Sequence, residues 1–408
     1  MMKEQLREYA KLSVTTGVNL QKGDTLIINA GIEAAELARE IATCAYDAGA
    51  KDVIIHYNDQ SYQRIRLEKT SVEVLKDIPT WVIDGVVPYS KKGACFISIS
   101  SQDPDAFKGL DLEKVAEYQK ARQIALKEYS DNAMSNKCRW CVLSYPSKAW
   151  SKKVFPALNE DEAQSKLWEL IYGASRVLEL KGTEEWKKHN ALIQEKKDFL
   201  NENRFKSLHF KNSKGTDLHM ELPEGHIWAG GAEDDVNGIP FNANIPTEEI
   251  FSMPKRDTLN GTVASSKPLS YSGNLIDEFT LTFKDGKVVD CTAKEGLEVL
   301  KTLLASDEGA SYIGEVALVP FNSPISNSNV VYFNTLFDEN AACHLAFGRS
   351  YSSNIENGAE LSEKELLEKG ANQSIIHVDF MIGTDDLNIT GINKDGKEID
   401  IFVNGNFA

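Results

Sequence analysis

Two imidazoles and four carboxylates in the second half of this chain have the residue types that metal-assisted hydrolysis needs. His377 and Asp379 stand in "QSIIHVDFMIG", an apolar run whose alternation turns both toward one face of a strand and Ile376, Val378 and Phe380 toward the other. Burying such a pair without partners costs on the order of a few kcal/mol per group, so a partner is called for. His344 follows "FNTLFDENAAC", five residues after Glu339; "NIPTEEIF" sets Glu248 and Glu249 at a probable strand start; "GEVALVP" puts Glu315 at the mouth of a short apolar run. Carboxylates bridge divalent ions and imidazoles complete the nitrogen side of their coordination. Glu249, Glu315, Glu339, His344, His377 and Asp379 thus make a donor set for a two-metal hydrolytic site. The set holds no cysteine, which fits a catalytic rather than a structural metal.

The residues alone leave three readings open. One is a metallopeptidase; one is a metal-dependent hydrolase or isomerase of a small non-peptide metabolite. The third is an α/β ligand-sensing module followed by an oligomerisation domain, with the polar cluster serving as a buried hydrogen-bond network. The other histidines, His56, His189, His209, His219 and His226, have no supporting neighbours and read as surface or satisfied structural side chains. "CRWC" at 138–141 has no second pair and reads as structural thiols. The loop "NAGIEAAEL" has one glycine, Gly31, where a dinucleotide fingerprint has three, and reads as a plain strand-to-helix turn.

The elements that must position these groups divide in texture near residue 203. Before it, "DTLIINAG", "DVIIHY", "TWVIDGVVPY" and "ACFISISSQ" read as strands alternating with helical stretches, the signature of a parallel sheet flanked by helices. Helical patterns continue through "DLEKVAEYQKARQIALKEYSDNAM", "EDEAQSKLWELIYGASRV" and "KGTEEWKKHNALIQEKKDFLNE". After it come three hairpin patterns, around "SKGTD", "KDGK" and in "NKDGKEIDIFVNGNFA", with helices at "GLEVLKTLLAS" and "LSEKELLEKG". The expected fold is an α/β N-terminal domain over 1–203 and an α+β, β-rich catalytic domain over 204–408.

Composition narrows the partners. A formal net charge of -16 opposes attraction to nucleic-acid phosphates. No apolar run reaches the length of a membrane span, and "MMKEQLREYAKLSV" reads as an amphipathic helix rather than a signal peptide. Six scattered cysteines suggest reduced thiols and a cytoplasmic protein.

The segments "NIPTEEIF", "GEVALVPFNSPIS", "FDENAACHLAFGRSY" and "HVDFMIGTDDLNI", taken together and in order, resemble family M29 of metal-dependent aminopeptidases, the family that includes aminopeptidase T, aminopeptidase S and PepS. The resemblance covers essentially the whole chain. It implies release of N-terminal amino acids from peptide substrates by two divalent metal ions per subunit, whether zinc, cobalt, manganese or magnesium. It implies Glu249, Glu315, His344, His377 and Asp379 as ligands, with Glu315 bridging and Glu249 preferred over Glu248 by alignment. Glu339 and Tyr351 match positions lining the family's site, Glu339 as a candidate general base and Tyr351 as a candidate oxyanion donor. It also implies a homodimer whose active sites face an enclosed interior.

Overall fold

The computed structural model describes residues 2–271 and 274–408. They form two compact units: Met1–Asn190 with Ala232–Pro246, and Ala191–Gly231 with Thr247–Ala408. The division falls inside the helix Gly182–Asn203.

The first unit is built on four parallel strands, β1 (Thr25–Gly31), β2 (Asp52–Asn58), β3 (Cys95–Ser100) and β4 (Trp140–Ser144), in the order β2-β1-β3-β4. Leu26, Ile27, Ile28, Phe96 and Ile97 are buried on both faces of the sheet, the near-continuous apolar pattern of a helix-covered parallel sheet. Helix Ala35–Asp47 follows β1 as expected, and Glu160–Ala174 starts at a capping box between Asn159 and Glu162. "TWVIDGVVPY" is not a strand. It folds into helical turns at Thr80–Asp84 and Val87–Lys91. The strand β3 pairs directly with β1 and leaves no place between them. Pro88 lies in the first turn of its helix, where a missing N–H costs nothing. The fourth strand was instead hidden in "CRWC", whose Cys138 and Cys141 are buried free thiols.

The second unit holds an eight-stranded antiparallel sheet that contains the three expected hairpins. It runs from Lys287–Thr292 at one edge through Thr280–Lys284, Asn260–Ala264, Asp217–Glu221, Ser207–Lys211, Asn388–Ile392 and Glu398–Val403 to Asn406–Phe407. A second, four-stranded sheet carries four of the six candidate donors: β5 (Ile250–Ser252), β6 (Ile313–Leu318), β7 (His344–Gly348) and β8 (His377–Met381), ordered β8-β7-β6-β5 and antiparallel throughout.

Its register explains why polar residues can occupy central strands. Glu315 lies opposite Ala346, and Ala346 opposite Asp379; His344 lies opposite Ala317 and Met381; His377 lies opposite Gly348. Directly paired residues share a face, so Glu315, His344, His377 and Asp379 emerge together with only Ala317, Ala346 and Gly348 between them. On the other face Val316, Leu345, Phe347 and Phe380 join the main apolar core, with the Phe347 and Phe380 rings stacked 4.4 Å apart.

A bulge sets the phase. Ile313 pairs with Phe347 and Glu315 with Ala346, so Gly314 is the extra residue, and Ile313 and Glu315, which simple alternation would place on one face, point to opposite faces. A Cβ at Gly314 would meet the backbone of Gly348 and Arg349; only glycine fits this close approach. Gly314→Ala is therefore expected to lower stability by about 1–3 kcal/mol, read by urea unfolding. It is also expected to reduce the protein's divalent-metal content, because the residue it displaces is Glu315.

Candidate metal centre

The two oxygens of Glu315 divide between two histidines. Oε1 lies 3.6 Å from His344 Nε2 and Oε2 lies 3.3 Å from His377 Nε2. Glu249, one residue before β5, brings Oε2 to 3.4 Å from His344 Nε2, and Asp379 brings Oδ1 to 3.4 Å from His377 Nε2. Two trios result, Glu249–Glu315–His344 and Glu315–His377–Asp379, sharing Glu315. Of the adjacent pair it is Glu249 whose carboxylate faces His344, while the backbone N–H of Glu248 donates to Asn340 Oδ1.

Both imidazoles are held in the orientation that metal ligands need. His344 Nδ1 is 3.1 Å from the Ala342 carbonyl and His377 Nδ1 is 2.7 Å from the Arg349 carbonyl. A carbonyl only accepts, so each Nδ1 carries the proton and each Nε2 is left facing carboxylate oxygens. Something positive must sit between them. Ligands at ~2.0–2.2 Å from a tetrahedral ion lie roughly 3.4 Å from one another, and the four N–O separations here span 3.3 to 3.6 Å. Asp379 Oδ1 is buried and, despite its nearness to His377, has no aligned hydrogen-bond donor. The donor set, the spacing and this orphaned oxygen all fit divalent cations.

The electrostatics of the cluster show the same demand. Burial would lower the pKa of His344, but its contacts with Glu249 and Glu315 and the charge of Asp379 hold it well above its ordinary value. Burial likewise opposes, and Asp379 and Glu315 outweigh it, in raising His377 to about 10. Glu249 is pushed up by burial, which His344 only partly offsets. Burial works to raise Asp379 too, but His377 and His344 prevail and hold it below the usual range. Each imidazole thus stands in strongly negative surroundings that favour a cation.

Glu339 and Tyr351 flank this cluster. Glu339 lies outside both trios but lines a cavity with His377 and Asp379; burial and the charges of Glu249 and Asp379 push its carboxyl well above the usual range. The Tyr351 ring packs 4.7 Å from the His377 ring and meets Phe251 edge-on at 6.1 Å. Its phenol is kept protonated by burial and by the charges of Glu315 and Asp379, so it is a hydrogen-bond donor. Every site residue expected from the sequence thus gathers at one face of the β5–β8 sheet.

Two features were not legible beforehand. Lys267 and Asp338 line the same cavity, and no spacing in the sequence ties them to it. On the eight-stranded sheet, His209 and His219 face each other across a hairpin with rings stacked 3.8 Å apart, and the His209 Nε2–H donates to Asp217 at 2.7 Å. The symmetry of that hairpin about "SKGTD" was the signal that could have paired them. They lie toward solvent, and with Asp217 between them each histidine has the neighbours that the sequence did not show.

The chain is similar to known proteins over its whole length. The family model described as thermophilic metalloprotease (M29) matches residues 2–407. The chain is 45% identical over 405 residues to aminopeptidase AmpS of Bacillus subtilis (strain 168), covering 99% of this chain and 98% of that one. It is 46% identical over 405 residues to aminopeptidase 2 of Geobacillus stearothermophilus, with the same coverage. The solved structure of wild-type AmpT from Thermus thermophilus superposes with a TM-score of 0.93 at 38% identity, covering 100% of both chains. By its matched length, its relatives and its fold, the chain belongs to the M29 family of thermophilic metalloproteases.

Proposed function

We propose that this chain is a metalloaminopeptidase that releases N-terminal amino acids from peptides by two-metal activation of water. Membership of a metalloprotease family and relatives named as aminopeptidases support the activity. The two-ion reading rests on one observation: the single carboxylate of Glu315 offers one oxygen to each of two histidine-containing trios. Glu249, Glu315 and His344 would hold one ion, and Glu315, His377 and Asp379 the other. One imidazole and two carboxylates per ion suit zinc, cobalt or manganese, with magnesium the hardest of the candidates. We read residues 204–408 as the catalytic domain, a reading supported by the strands that carry these residues.

When bound, the ions supply Lewis acidity and a water whose pKa falls toward neutrality. The protein's residues do the rest. The Nδ1–H bonds to Ala342 and Arg349 fix both imidazoles, so the ligand geometry is set before substrate arrives. Glu339 accepts a proton from the attacking water and returns it to the departing amine. Tyr351 donates a hydrogen bond to the oxyanion of the tetrahedral intermediate. The enzyme works as a homodimer on peptides, a reading supported by the family resemblance, and in the cytoplasm, a reading supported by its six scattered cysteines.

Three outcomes are expected. Glu315→Ala loses both ions, measured by elemental analysis, and hydrolysis of aminoacyl anilides falls below detection; a Glu315→Ala protein with full activity would sink the site assignment. Tyr351→Phe keeps its metal and loses roughly 10²–10³ in kcat. Treating the protein with a chelator lowers its thermal midpoint, and adding back zinc at about a hundred times its Kd restores about 2.7 kcal/mol for each ion bound; an unchanged midpoint argues against ions at this buried cluster.

A further inference from the structure

The cavity beside the metal centre has a volume of about 300 Å³, at the small end of the roughly 300–1,000 Å³ usual for small-molecule pockets. Its charged lining is mostly acidic, with Asp338, Glu339 and Asp379 alongside His377. Lys267 is the exception. The segment carrying it is fixed in place: the Ser266 N–H donates to the Met381 carbonyl at 2.8 Å, two residues beyond Asp379, and the neighbouring Ser265 N–H donates to the Phe279 carbonyl at 2.9 Å. Lys267 is half-buried, and its ammonium forms no hydrogen bond or ion pair with any described residue.

Asp338 is the acid that acts on Lys267 electrostatically, yet it is not its counter-ion. Its Oδ1 accepts the Tyr332 N–H at 2.7 Å and its Oδ2 accepts the Asn334 N–H at 2.9 Å, so both oxygens are engaged in holding their own loop. A lysine drawn partly out of water without a direct partner is costly to keep, and in a substrate cavity the missing partner is an anion that comes with the substrate. A peptide held by its amino end at the metal centre presents such an anion at short range. It is the carboxylate of the residue beyond the scissile bond, whether terminal or on an acidic side chain.

We propose that Lys267 forms a carboxylate-binding subsite of this cavity, which directs the enzyme toward short peptides bearing a carboxylate just after the bond that is cut. This rests on the aminopeptidase reading above, and the test separates the two. The kcat/KM of the metal-loaded wild-type protein is compared for leucyl-glycine against leucyl-glycinamide, and for leucyl-aspartyl amide against leucyl-asparaginyl amide. The first ratio reads a terminal carboxylate and the second a side-chain one. At least one ratio is expected to exceed one in the wild type and to shrink as salt is raised. In Lys267→Met, which keeps the length of the side chain, the same ratio falls by roughly tenfold to a hundredfold, and Lys267→Arg recovers most of it.

A binding measurement needs no turnover. Titration calorimetry with the reduced-bond analogue of leucyl-glycine, in which CH₂–NH replaces the amide, and with its own carboxamide gives the same ratio as a difference in Kd. Both ratios at or below one in the wild type overturn the subsite without recourse to any variant, as do ratios unchanged in Lys267→Met protein that carries the wild-type metal content. A wild-type protein that hydrolyses none of the four peptides overturns the aminopeptidase reading instead.

Discussion

The centre depends on one carboxylate being presented from the middle of a buried strand. All six residues of Ile313–Leu318 are buried, and a glutamate there is tolerated only because its charge is met on both sides. The bulge at Gly314 aims Glu315 at the polar face while keeping Ile313 in the core. The small side chains opposite and beside it leave the room that the ligands need. Remove the bulge and the carboxylate turns toward Phe347 and Leu345, where nothing could pair with it.

The same sheet therefore does two jobs with its two faces. Val316, Leu345, Phe347 and Phe380 contribute to the principal core of the second unit, and their neighbours in sequence are Glu315, His344 and Asp379. Strand pairing fixes the spacing between ligands on adjacent strands to the interstrand distance of about 4.8 Å. Side chains then close that distance to the separations of ligands around one ion. Sites built on strands hold such spacing better than sites built on loops. Here Glu249, Glu339 and Tyr351 come from outside the strands, and Glu315, His344, His377 and Asp379 from within them.

Alternation in "IIHVDFM" was enough to put His377 and Asp379 on one face, and the structure has them there. The hairpin turns were equally plain, because Gly and Asp at the corners state their backbone needs locally. Bringing four segments together was another matter: register between strands more than thirty residues apart depends on packing that no local pattern encodes, and the resemblance to a family supplied it. "TWVIDGVVPY" misled because its Val and Ile content satisfies strand and short helix alike, and the deciding fact was that β1 and β3 pair with each other. Lys267 left no trace in the sequence, since a lysine after two serines reads as surface until the cavity around it is seen.

Under the proposed two-ion reading, the sharing of Glu315 governs how the centre would be populated. A ligand with one oxygen committed to each position cannot serve either in full isolation: the first ion to arrive immobilises the carboxylate and neutralises part of the surrounding negative charge, changing what the second encounters. Occupancy is then a property of the pair. A foreign ion captured at one position alters its neighbour's coordination as well, so the identity of the metal is selected jointly, and a cell short of one element would see mixed species whose behaviour is not the average of the pure ones.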